Sequence, residues 1–65
     1  MPNKHVHYSV GDLVLNPVAG VVGIVTNSNY WVHDEWLGGE EEVIDVAFGS
    51  SESKQYPVRY VEKLG

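Results

Sequence analysis

The stretch Val10-Gly11-Asp12-Leu13-Val14-Leu15-Asn16-Pro17-Val18-Ala19-Gly20-Val21-Val22-Gly23-Ile24-Val25 decides the fold. Gly11-Asp12 turns the chain into the apolar run Leu13-Val14-Leu15. Asn16-Pro17 ends that run, because a residue before proline is pushed to extended geometry and proline gives no ladder donor. Val21-Val22-Gly23-Ile24-Val25 is then a second strand, rich in β-branched residues that suit a pleated surface. The glycine inside it marks a bend or a close approach of another backbone.

The same rhythm continues on both sides. Residues 1–7 are polar and read as a flexible segment before a domain at 8–65, although the alternation Val6, Tyr8, Val10 leaves room for one more strand. Asn27-Ser28-Asn29 is a turn signal, and Tyr30-Trp31-Val32-His33 is a β-prone third strand. Asp34-Glu35-Trp36-Leu37 fits either one helical turn or a loop, and Gly38-Gly39 stops it. In Glu42-Val43-Ile44-Asp45-Val46-Ala47-Phe48, alternation places Ile44, Val46 and Phe48 on the core face. Gly49-Ser50-Ser51-Glu52-Ser53 is a hairpin loop, Lys54-Gln55-Tyr56 a fifth strand and Pro57-Val58-Arg59-Tyr60 a single helical turn. Val61 and Leu64 close the chain as packing residues. The expectation is all-β: a small five-stranded barrel with one helical turn near the C-terminus.

This order is that of an SH3-like barrel. Val10-Gly11-Asp12-Leu13-Val14-Leu15-Asn16-Pro17, then Gly20, then Gly23-Ile24-Val25, resembles the opening of Tudor-like and KOW-like domains. The version it is similar to occurs in the RNA-polymerase-interacting domains of CarD-type regulators and in the C-terminal modules of UvrD-type helicases. Val43-Ile44-Asp45-Val46-Ala47-Phe48 and Lys54-Gln55-Tyr56-Pro57-Val58-Arg59-Tyr60-Val61-Glu62-Lys63-Leu64 are similar to that family's hairpin and closing segment. Asn16 stands where the family often has His, and Val22 stands near an expected glycine. The link over residues 30–42 is longer and more acidic than usual. The resemblance implies a non-enzymatic docking module on transcription or repair machinery, with RNA polymerase or a repair factor as partner.

Composition narrows the chemistry. Sixty-five residues hold one small domain, and without cysteine there is neither a disulfide framework nor a thiolate metal site. Four Lys and Arg against nine Asp and Glu give a net charge of -5, the reverse of a nucleic-acid footprint. Between Lys4 and Lys54 there is no cation, while Asp12, Asp34, Glu35, Glu40, Glu41, Glu42, Asp45 and Glu52 all fall there. Such a field repels phosphate and favours basic surfaces. Tyr30, Trp31, Trp36, Tyr56 and Tyr60 could stack bases, but Lys4, Lys54, Arg59 and Lys63 supply few phosphate contacts. No apolar run reaches the ~20 residues of a membrane span, and the expected location is cytoplasmic.

Catalysis finds no support in the residue pattern. The serines sit in turn clusters and none occupies a nucleophile elbow. His5 and His7 share a strand face and His33 lies beside Asp34 and Glu35, yet the reading favoured for all three is surface histidine without metal. No cofactor is expected, and Gly38-Gly39 before three glutamates is no phosphate loop.

The aromatic and acidic excursion remains. Tyr30, Trp31, Asp34, Glu35, Trp36, Glu40, Glu41 and Glu42 place large amphipathic rings beside negative charge. Tryptophan and tyrosine are enriched at binding hot spots, so this segment is the expected contact for a protein partner with a basic surface. Trp31 inside the barrel and Trp36 over its open end is the structural alternative. A subunit buried in a larger assembly or homo-oligomer through an exposed face or edge is the alternative function.

Overall fold

The computed structural model describes residues 6–36, 38–50 and 52–64. Five strands form one antiparallel sheet: β1 (Leu13–Asn16), β2 (Val21–Asp34), β3 (Gly39–Phe48), β4 (Lys54–Pro57) and β5 (Glu62–Leu64). A 3-10 turn, Val58–Tyr60, joins β4 to β5, and the strand order is β4-β3-β2-β1-β5. Four strands thus follow one another as a meander and the last returns to pair with the first. This is the small five-stranded all-β arrangement with a single helical turn expected from the sequence.

Alternation builds the core. Val14 of β1, Val25 of β2, Ile44 and Val46 of β3, Val61 and Tyr8 form one buried cluster, with Phe48, Tyr56 and Val58 against it. Phe48 and Tyr56 meet edge to face at 5.3 Å, the geometry that ring quadrupoles favour. Gly23 is the close-approach glycine: it pairs with Val14 on one side and Phe48 on the other. At Asn16 the side-chain carbonyl accepts from Val18 N–H at 3.1 Å and Ala19 N–H at 3.2 Å, and Gly20 N–H donates to Asn16 C=O. Asparagine therefore organises the β1–β2 turn, closed by Gly20 at φ +72°.

Several expectations change. Asn27-Ser28-Asn29 is not a turn between strands: residues 21–34 are one 14-residue strand. The register against β3 slips between Val25 and Asn27 and again between Asn27 and Tyr30, and such bulges bend a strand without ending it. The two expected strands merge, and β5 restores the count because Leu13, Val14 and Leu15 pair with Leu64, Lys63 and Glu62. Leu64 is 36% exposed rather than a core plug, while Val61 is buried. Pro57 caps the 3-10 turn from an extended conformation instead of occupying its first position. The segment around Val6, Tyr8 and Val10 forms no strand. Asn29 holds it instead, accepting from Tyr8 N–H at 2.8 Å and donating to Val6 C=O at 3.0 Å. Lys63 Nζ donates to His7 C=O at 3.0 Å, so chain contacts begin before residue 8. The rest of residues 1–7 lies outside the described residues.

Candidate functional site

Beyond the core, β2 and β3 continue as a hairpin arm. Tyr30, Trp31, Val32, His33 and Asp34 pair with Val43, Glu42, Glu41, Glu40 and Gly39 in that order. The connecting residues 35 and 36 form a turn, not a helix, and Gly38 takes φ +70°, a conformation cheap only for glycine. Leu37 lies outside the described residues.

Directly opposed residues share a face, so this register divides the expected contact residues. Tyr30, Val32, Glu41 and Val43 stand on one face of the arm; Trp31, Glu40 and Glu42 stand on the other. Asp34 ends β2 in backbone pairing with Gly39. Trp31 is 60% exposed and Trp36 98% exposed, which rules out the arrangement with both rings in or over the core.

The first face carries an open groove of about 350 Å³. Val32, Val43, Pro57 and the Trp36 ring supply its apolar lining, and His33, Glu35, Glu41 and Gln55 its polar lining. Val43 is fully buried although it lies opposite the core face, because Pro57 of β4 pairs beside it. Glu41 is also buried, and its carboxylate forms an ion pair with Arg59 of the 3-10 turn. Burial of a carboxylate without a partner would be costly, and Arg59 supplies that partner at the groove. Arg59 also lies over the Tyr60 ring at 4.9 Å.

Beside the groove the Tyr30 hydroxyl donates to Asp45 Oδ1 at 2.6 Å and accepts from Gln55 Nε2 at 3.3 Å. The bond to Asp45 stabilises the neutral phenol and raises its pKa above the usual 10.0, with the Gln55 donor opposing it. A folded-state pKa above the unfolded one contributes stability that is complete below pH 10 and is lost as pH rises through the folded value. The wild type is therefore expected to lose stability in alkaline solution more steeply than Tyr30→Phe, read as urea midpoints on both sides of pH 10. Equal alkaline slopes would exclude this bond as the cause.

On the opposite face Glu42 accepts from Asn29 Nδ2 at 2.6 Å, so this expected rim acid also fastens the N-terminal segment. Glu35 and Glu40 are exposed. Lys63 lies 3.5 Å from Asp12, whose carboxyl pKa is lowered first by the Ser9 N–H and then by Lys63. Arg59 and Lys63, two of the four cations of the chain, are thus engaged with acids. Among the described residues no three His, Asp or Glu groups are placed to hold a metal, and no helix is long and apolar enough to cross a membrane. His5 lies outside the described residues.

Sequence reading missed Val32, Val43, Gln55 and Pro57 as groove residues. The spacing of Glu41 and Val43 at i, i+2 places them on one strand face, but the neighbours depend on register with β4. The chain matches no family model, no curated protein and no solved structure.

Proposed function

We propose that this chain is a non-enzymatic protein-binding module whose hairpin-arm groove docks a basic segment of a larger protein. The observation that carries this reading is Trp36: a tryptophan 98% exposed at the edge of an apolar groove, with Glu35 next to it and Glu41 in the lining. Exposed large rings beside a concavity are the usual anchors of interfaces, because burial of so much apolar area on binding is favourable. The acidic surroundings select the partner's charge. A net charge of -5, with Glu35 at the groove and Glu40 and Glu42 on the arm's other face, steers Lys and Arg towards the ring, where a cation can also sit over the indole. The Tudor-like and KOW-like resemblance supports looking first among transcription and repair proteins.

With the intact chain as bait in native lysate, capture of a basic protein is expected to fall with added salt and to be lost in Trp36→Ala. Stability of that variant should change by no more than about 0.5 kcal/mol, since the ring is on the surface. Capture that is indifferent to both salt and Trp36 would overturn the reading.

A further inference from the structure

The groove lining holds two acids in unlike states. Glu41 is 8% exposed and carries Arg59 on its Oε2, whereas Glu35 is exposed beside Trp36. Arg59 reaches Glu41 from the 3-10 turn, donates from Nη2 to the Tyr60 hydroxyl at 3.4 Å and lies over the Tyr60 ring. Among the described residues the lining itself includes no Lys or Arg. The guanidinium therefore neutralises the buried carboxylate from outside the groove and leaves the groove open. Register sets the two acids at different depths. Gly39 pairs with Asp34 at the tip of the arm, next to the turn that bears Glu35 and Trp36. Glu41 pairs with Val32 two residues inward, and Val43 pairs with Pro57 two residues further. At about 3.4 Å per residue, tip and base are roughly 14 Å apart.

The two ends therefore favour different side chains. A cation at the tip meets Glu35 and the Trp36 indole. A second cation at the base would meet an ion pair that is already neutral, and would lose its own water against Val32 and Pro57. An apolar side chain gains from burial there instead. The field of a chain at -5 favours any added cation, but exposed charges are screened at physiological salt and the gain is small beside that burial. We propose that Arg59 sets the specificity of the groove: it selects an extended segment with one Lys or Arg at the tip and an uncharged apolar residue at the base, and rejects a second cation. This rests on the docking reading above and adds the pattern of the partner and the residue that decides it.

The test titrates the full chain into labelled, capped serine peptides at about 0.15 M salt, with binding read by anisotropy. One peptide carries a lysine and a leucine four residues apart, made in both orders; the other carries two lysines at the same spacing. The wild type is expected to bind the better lysine and leucine peptide about tenfold more tightly than the two-lysine peptide, and Trp36→Ala to lose both. Arg59→Gln leaves Glu41 without its cation and is expected to erase or reverse that preference. Glu41→Gln combined with Arg59→Gln removes both charges, keeps the base neutral and is expected to retain the preference, which keeps the test open if the single variant does not fold. The inference is overturned if the two-lysine peptide binds the wild type as tightly or more tightly, if the double variant loses the preference, or if no peptide binds in a Trp36-dependent way. Trp36-dependent binding without the preference leaves the docking reading standing, and the lysate capture decides that reading by itself.

Discussion

Gly23→Ala is expected to lower the stability of the chain by about 2 to 3 kcal/mol, enough to remove much of what a 65-residue domain has. Two effects compete. Alanine restricts the unfolded chain more than glycine does and so favours folding by roughly 0.5 to 1 kcal/mol. Against this, a methyl at residue 23 would stand 2.7 Å from Phe48 Cδ1, 2.7 Å from Val46 Cγ1 and 2.8 Å from the Ala47 carbonyl oxygen. The side chains could turn aside, but the carbonyl belongs to the strand paired with β2, so relief requires the β2–β3 pairing itself to open. The clash therefore wins. At roughly 4 to 8 °C per kcal/mol, the melting temperature should fall by about 10 to 20 °C. Gly39→Ala is the control, because nothing lies within 4 Å of its added methyl and its backbone is not left-handed. Equal melting temperatures for the two variants would show that Gly23 is not a close-approach site.

What the sequence made legible follows from which interactions are local. Val43-Ile44-Asp45-Val46-Ala47-Phe48 declared its core face by alternation alone, because a strand's two faces are set by its own backbone. Gly23 in a β-branched run declared a close approach, since other residues pack better in a strand. The Asn-Ser-Asn signal at residues 27–29 misled because its turn propensity is spent on bulges, held in the sheet by pairing partners more than ten residues away. The same limit governs the candidate site. Trp31 and Trp36 were visible as aromatic residues among acids, but register put them on different parts of the arm. Pro57 and Gln55 join the groove only through pairing of β4 with β3. Glu41 looked like one of three equivalent rim acids, whereas Arg59, 18 residues further along, draws it into a buried ion pair.

Asn29→Asp is expected to destabilise the chain by about 3 kcal/mol at neutral pH and to regain much of that loss in acid. The swap keeps the shape and keeps an oxygen to accept from Tyr8 N–H, so it leaves one of the native contacts in place. It removes both amide donations, to Val6 C=O at 3.0 Å and to Glu42 Oε2 at 2.6 Å. The second is a hydrogen bond to a charged group, for which removal costs about 1.5 to 3 kcal/mol. It also sets a carboxylate against the Glu42 carboxylate in partly buried surroundings, where like charges favour a shared proton. The folded-state pKa of the new carboxyl is then above its unfolded value near 3.9, so its proton adds stability at low pH and that stability is lost as pH rises. The difference in urea midpoint between variant and wild type should accordingly narrow as pH falls below about 5, and narrow more than for Asn29→Ala, which loses the donation to Glu42 but adds no like charge. Measuring the difference rather than the absolute stability cancels the acid response of Asp12 and the other shared carboxylates. Parallel pH profiles for the two substitutions would mean that Asn29 does not link the N-terminal segment to the hairpin arm through Glu42. Steeper convergence for Asn29→Asp than for Asn29→Ala would establish that one asparagine, placed where the bulged strand bends, links the Tyr8 segment to the arm that carries the groove.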